Sequence, residues 1–98
     1  MSELFELGNI YATPQALEAI GDPLAVSCLI QRHHAGDFGV VCDEDLVVNQ
    51  QAIKFGGRIL SAYPLDPTKP CQGWGANTLW IITEADRSYT TILLPDEY

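Results

Sequence analysis

Apolar residues in the first half of the chain recur at helical spacing, and each run follows a residue that can cap a helix. Thr13-Pro14 and Asp22-Pro23 each place a capping side chain before a proline, which fits the first helical turn. Asp43 is the expected cap of a third helix, whose apolar positions include Leu46 and Val47. The pattern therefore predicts three consecutive helices.

The second of these helices is apolar on several sides. One face of the predicted helix contains four apolar residues, Leu24, Ala25, Cys28 and Leu29. Val26 and Ile30 lie on another face. A helix with this pattern is either deeply buried or covered in part by a second chain. We therefore expect it in the core or at the interface of a homodimer, for which the exposed edge of the predicted meander is the other route.

From Arg58 onwards, β-branched and aromatic residues predominate, as is typical of strands. Three strands are predicted at residues 58–65, 78–83 and 89–94, and the short polar link at 84–88 favours an antiparallel meander. Residues 66–77 contain two prolines and two glycines and are expected to form a longer loop. One more strand is predicted at residues 4–12, ahead of the helices.

Helices and strands that are segregated along the chain indicate the α+β fold class. We expect residues 1–98 to form a single domain. Its predicted order is one N-terminal strand, three helices and then a three-stranded antiparallel meander, with the helices packed on one face of the sheet.

The chain is strongly acidic, with 13 acidic and 5 basic residues and a formal net charge of -8. This balance disfavours direct binding to nucleic acid and to anionic membranes, which both require clustered Lys and Arg. It allows a protein partner with a basic surface, and it also keeps a protein soluble without any partner. The three cysteines have no regular spacing, and no signal peptide is visible, so a reducing cytoplasm is the expected location.

Two groups of charged residues are candidate binding residues. The start of the third predicted helix is surrounded by four carboxylates, Asp37, Asp43, Glu44 and Asp45. Helix capping and solvation explain them without a ligand, whereas the functional interpretation is a recognition surface for a basic partner. Glu84 and Arg87 flank the last hairpin, where the guanidinium is expected to hold Glu84 or the C-terminal carboxylates, or else to bind a ligand.

Trp74 lies between two glycines in the long loop. The sequence Gly73-Trp74-Gly75 is too short for a phosphate-binding loop, so its expected role is a turn that packs the indole over the sheet edge, with ligand stacking as the alternative. His33 and His34 point about 100° apart on a helix and do not share a metal ion easily, so one of them is expected to pack at the helix end, where a positive charge suits the dipole. Catalytic residues, metal ligands and cofactors are not predicted.

Several segments resemble a family of small uncharacterised bacterial proteins that are often encoded on plasmids and other mobile elements. The resemblance lies in residues 56–63 and 79–98, and in the shorter segments Gly8–Pro14 and Gly36–Gly39. It implies a bacterial protein of mobile-element origin and implies little about mechanism. The chain departs from the family in its longer loop at residues 66–77.

The function that these observations favour is that of a small, acidic, non-enzymatic interaction protein. Its acidic face would bind a basic protein, for example a nucleic-acid-handling enzyme, by imitating phosphate charge. The alternative is a small enzyme or ligand-binding domain with a pocket between helices and sheet, lined by Asp37, Trp74, Glu84 and Arg87. Convergence of these four side chains on one cleft would favour the alternative.

Overall fold

A computed structural model describes residues 4–98 of the chain and confirms the α+β class. Three helices and four strands follow one another, with a short 3₁₀ turn at Pro95–Glu97 after the last strand. In chain order they are β1 (Asn9–Ala12), α1 (Pro14–Ile20), α2 (Pro23–His34), α3 (Asp43–Phe55), β2 (Ile59–Pro64), β3 (Thr78–Thr83) and β4 (Tyr89–Leu93).

The first two helices begin where the sequence predicts. The Thr13 hydroxyl accepts a hydrogen bond from the Ala16 N–H at 3.1 Å, and the Asp22 carboxylate accepts one from the Leu24 N–H at 2.9 Å. Each bond satisfies one of the N–H groups that a helix leaves free at its start. The predicted cap of α3 is wrong by one residue, because Cys42 is at the capping position, makes no side-chain cap bond, and Asp43 is the first helical residue.

The sheet has the strand order β1-β4-β3-β2. Strands β2, β3 and β4 pair antiparallel, which confirms the meander, whereas β1 pairs in parallel with β4. The prediction of a three-stranded sheet with a separate N-terminal strand is therefore wrong, and the sheet is four-stranded and mixed. The N-terminal strand is also shorter than predicted, because only Asn9–Ala12 lie in register beside Tyr89–Ile92.

Helices α1 and α2 pack on one face of the sheet. Ala16 of α1 lies in a buried cluster with Tyr63, Leu79, Ile81 and Ile92, and apolar residues of α2 pack against this cluster. The predicted apolar face of α2 is divided, because only the side of α2 that faces the sheet is covered: Leu29 packs against the cluster, whereas Leu24 and Cys28 are exposed. No helix within residues 4–98 is long and apolar enough to cross a membrane.

Helix α3 lies beside the edge of β2 and covers part of it. The Asn49 amide donates to the Leu60 carbonyl at 2.7 Å and accepts from the Leu60 N–H at 3.0 Å. Asn49 and Ala52 are consequently the buried residues of α3. The predicted apolar stripe is wrong at Leu46 and Val47, which are exposed, whereas Ile53 further along it packs against the buried cluster that contains Ala52. At Asn49 the helix meets the backbone of a strand edge, so the buried side chain there is an amide that can hydrogen-bond that backbone.

The segment before α3 covers the rest of the β2 edge. The Ala62 N–H donates to the Phe38 carbonyl at 3.0 Å, and the Val40 N–H donates to the Ala62 carbonyl at 2.8 Å. Gly39 allows this close approach, because it has a φ of 74° and a Cβ there would overlap the Ala62 oxygen. With β1 beside β4, both edges of the meander are covered, and β1 becomes the outer strand of the sheet on that side.

Candidate functional site

The most polar part of the interior is a chain of hydrogen bonds that starts at His33 near the end of α2. His33 Nδ1 lies 2.5 Å from Ser61 Oγ, and His33 Nε2 lies 2.8 Å from Thr83 Oγ1. Thr83 Oγ1 lies 2.8 Å from Thr90 Oγ1, whose hydroxyl donates to the Leu7 carbonyl at 2.7 Å. The chain therefore joins α2, all three strands of the meander and the segment before β1.

The position of each hydrogen in this chain of hydrogen bonds can be assigned by starting at the Leu7 carbonyl. The Leu7 carbonyl can only accept, so the single hydroxyl hydrogen of Thr90 is used there and Thr83 must donate to Thr90. His33 Nε2 then carries its hydrogen and donates to Thr83, which leaves Nδ1 to accept from Ser61. A neutral imidazole satisfies every partner, and burial, with a smaller effect of the His34 charge, lowers the pKa of His33 to about 3.

A serine hydroxyl beside a histidine is also an arrangement found in nucleophilic catalysis. Here His33 and Ser61 both have 0% of their surface exposed, so a substrate has no access to the serine oxygen. The pair is a structural cross-link. The prediction that one histidine packs at the helix end as a favourable positive charge is wrong for His33, because that ring is neutral and lies in the core.

Asp37 lies in the loop after α2 and is paired with a cation of that helix, Arg32. Its Oδ2 accepts from Arg32 Nε at 2.7 Å, and its Oδ1 accepts from the Gly39 N–H at 3.2 Å. The Arg32 guanidinium lies 4.6 Å from the ring centre of Tyr63. Because Arg32 hydrogen-bonds the carboxylate, it lowers the pKa of Asp37. Asp37 therefore contributes little free charge to a recognition surface.

Arg87 and Glu84 also have partners other than those predicted. The Arg87 guanidinium donates to the carbonyls of Gly57 at 2.5 Å and Ala52 at 2.8 Å, while Glu84 Oε1 accepts from Arg58 at 3.1 Å. The predicted ion pair between Arg87 and a carboxylate is wrong, because carbonyls near the end of α3 are within reach of the guanidinium. Arg87 instead fastens the end of α3 to the last hairpin.

The four residues proposed to line one pocket do not share a cleft. Trp74 lies in the loop between β2 and β3, at the opposite end of β3 from Glu84 and Arg87 in the next hairpin. Asp37 lies in the loop that follows α2, against Tyr63. A cavity of about 390 Å³ beside Leu65 contains none of the four side chains. The geometry therefore gives no support to a pocket formed by these residues.

The start of α3 and the loop that contains Trp74 instead form the two sides of a surface groove of about 180 Å³. Its main lining residues are Val40, Asp45, Gly73, Trp74 and Trp80, and we call it the α3–Trp74 groove. The Trp74 side chain is not packed over the sheet edge as predicted, because 64% of the residue is exposed. Two of the elements predicted to bind a partner, α3 and the Trp74 loop, are thus brought together.

Hydrogen bonds hold the loop side of the groove in place. Trp80 Nε1 donates to the Gly73 carbonyl at 2.8 Å. Asn77 Oδ1 accepts from the Asp66 N–H at 2.8 Å, and its Nδ2 donates to the Asp66 carbonyl at 3.1 Å. Gly73 has a φ of 91°, and a Cβ there would lie 2.9 Å from the Val40 oxygen. The loop therefore approaches the backbone of Val40 more closely than a residue other than glycine would allow.

The helix side of the groove is negatively charged. Asp43, Glu44 and Asp45 form the first turn of α3 and are exposed. Within residues 4–98, none of the three carboxylates takes part in an ion pair or a side-chain hydrogen bond. The start of a helix carries only about half a positive charge, so most of the negative charge remains uncompensated. Exposed Val47 and Val48 follow on the same helix.

The groove includes Trp80 and Val40, which are absent from the predicted site. Trp80 alternates with Leu79 and Ile81 in β3 and therefore belongs to the opposite face of the sheet from the helices. This alternation is visible in the sequence and could have identified Trp80 as a residue of the outer face. Val40 gave no signal, because it reaches the groove only through its pairing with Ala62. Long-range pairing of this kind is not encoded in local sequence spacing.

Fold and site together define a small acidic α+β protein with an aromatic groove beside unpaired carboxylates. No protein-family model, curated protein or solved structure matches the chain. The resemblance to a plasmid-encoded bacterial family therefore stays a prediction. Within residues 4–98, no three His, Cys, Asp or Glu side chains come together as they would around a metal ion.

Proposed function

We propose that the protein is a small, acidic, non-enzymatic interaction protein that binds a basic segment of another protein at the α3–Trp74 groove. The observation that carries this proposal is the position of exposed Trp74 across a groove from Asp45, with the unpaired carboxylates of Asp43 and Glu44 beside it. The apolar ring supplies contact area, and the carboxylates supply charge that no described residue neutralises.

Electrostatic complementarity supports a basic partner over other macromolecules. The formal net charge of -8 repels phosphate groups and attracts surfaces rich in Lys and Arg. Such attraction raises the rate of association and selects against acidic partners. The unpaired carboxylates lie at one end of α3, so the attraction has a defined location on the molecule.

A nucleic-acid-handling enzyme is the class of partner that we favour. Such an enzyme presents Lys and Arg side chains to neutralise phosphates, and carboxylates spaced along a helix end would occupy those side chains instead. A mobile-element origin, which the family resemblance implies, fits a protein that acts on such enzymes. The three cysteines are free thiols, which suits the cytoplasmic location that we propose.

We expect the variant Asp43→Asn/Glu44→Gln to bind a basic peptide about fivefold more weakly than the wild type. The probe is a flexible Gly/Ser peptide with four lysines, and calorimetry at about 50 mM and about 300 mM salt gives its affinity. Binding is expected to weaken at the higher salt concentration, because exposed charges more than about a Debye length apart are screened.

The matched control is Glu6→Gln/Glu18→Gln, which removes the same number of negative charges. Glu6 is exposed beside Phe5, whose ring lies near Arg87 at the far end of α3, and Glu18 lies on α1, which contacts α2 and β4. Its affinity for the peptide is expected to stay within about twofold of the wild type, because distant charges are screened. Equal weakening in both variants, or an affinity that does not change with salt, would contradict binding at the start of α3.

A further inference from the structure

The size of the α3–Trp74 groove limits what it can hold. At about 180 Å³ it is smaller than the roughly 300–1,000 Å³ of typical small-molecule pockets. It is open at the surface and has the dimensions for one long side chain. This size favours a single residue of a protein partner over a free ligand.

The lining of the groove defines the chemistry of that residue. Trp74 and Trp80 present indole rings, which attract cations over their faces, and Asp45 presents a carboxylate that has no partner in the described part of the chain. A planar guanidinium stacks on an indole and binds a carboxylate through two parallel N–H···O hydrogen bonds, whereas an ammonium is more strongly hydrated and does not stack. We infer that the groove receives an arginine side chain of the basic partner, between Trp74 and Asp45.

The groove is also preorganised for this occupant. Intramolecular hydrogen bonds fix the loop side of the groove: Trp80 Nε1 donates to the Gly73 carbonyl, and Asn77 bonds the backbone of Asp66 within the loop. A side chain that enters a preformed site loses less free energy to ordering the protein. The inference rests on the proposed function, because it names the residue type by which the basic partner is recognised.

The experiment compares three peptides that differ only at four positions, which hold arginine, lysine or glutamine. Calorimetry gives the three affinities, and the indole N–H signals of the two tryptophans report where the peptide binds. We expect the arginine peptide to bind about threefold more tightly than the lysine peptide, and the lysine peptide more tightly than the glutamine peptide. The Trp74 signal is expected to shift most with the arginine peptide.

Two variants locate the arginine preference. Trp74→Leu is expected to bind the arginine and lysine peptides equally. Its control is Tyr11→Leu, which removes an exposed aromatic ring from β1 and is expected to keep the threefold preference. Asp45→Asn is expected to weaken binding of the arginine peptide and to leave both indole signals in place, which shows that the groove is intact. Both tested side chains are exposed, so neither change removes a buried contact.

The outcomes separate this inference from the proposed function. Equal affinities of the wild type for the arginine and lysine peptides, both above that for the glutamine peptide, would overturn the arginine site and leave a general basic-partner surface. An arginine preference that persists in Trp74→Leu would overturn it as well. Three equal affinities would overturn both proposals.

Discussion

Replacing His33 by alanine is expected to lower the free energy of unfolding by about 3–5 kcal/mol. The substitution removes a fully buried ring, leaves the Ser61 hydroxyl without its partner and leaves Thr83 with only its bond to Thr90. Each buried polar group that loses its hydrogen bond costs about 1–3 kcal/mol, and the cavity adds to this cost. Urea denaturation at neutral pH measures the change.

A double-mutant cycle shows whether the hydrogen-bond chain is the cause. The variants are His33→Ala, Ser61→Ala and the combination of the two, and residues in one network are expected to couple by about 0.5–3 kcal/mol. Additive losses would mean that the hydrogen bond between His33 and Ser61 does not contribute to the loss. A loss below about 1 kcal/mol for His33→Ala would contradict the buried position itself.

The same histidine makes the stability depend on pH. Its pKa is about 3 in the folded protein, where burial is the main cause, and the ordinary value of 6.5 applies when the chain is unfolded. Between these values only the unfolded state takes up a proton, so the stability is fully present above pH 6.5 and falls as the pH is lowered. Between pH 7 and pH 5 this effect is worth about 2 kcal/mol. His33→Gln is expected to lose this pH dependence of the stability, and His34→Gln is expected to keep it.

Replacing Arg87 by glycine is expected to lower the free energy of unfolding by about 2–3 kcal/mol. Arg87 has a φ of 61°, a conformation that glycine adopts without strain, so the substitution removes the side chain without straining the backbone. That group donates to the carbonyls of Gly57 and Ala52, and hydrogen bonds from a charged donor are worth about 1.5–3 kcal/mol. Hydrogen exchange is expected to increase at the last turn of α3.

Arg58→Gln is the matched control for Arg87→Gly. Arg58 also pairs across the sheet, with Glu84 at 3.1 Å, but its side chain is 49% exposed. A surface ion pair of this kind contributes about 0–1 kcal/mol. If both variants lose the same small amount, or if exchange at the end of α3 is unchanged in Arg87→Gly, then Arg87 does not fasten the helix to the hairpin.

The candidate site was predicted in part. Asp43, Glu44 and Trp74 were identified because carboxylates at a helix start and an aromatic residue between glycines are visible in the sequence. Asp37 and Arg87 were assigned to the same role but have internal partners. Whether a charge is free depends on which groups the fold brings within hydrogen-bonding distance. The partner of Asp37 lies in the preceding helix α2, and the partners of Arg87 lie in the last turn of α3 and just after it.

What the sequence by itself determined is local. Proline after Thr13 and Asp22 set the helix starts, and β-branched runs set the meander, because capping and backbone preference act over a few residues. The tertiary structure alone decided the parallel pairing of β1, the covering of β2 by Asn49 and the groove between α3 and Trp74. Each of these joins residues that are distant along the chain, and such contacts form only when the whole interior packs together.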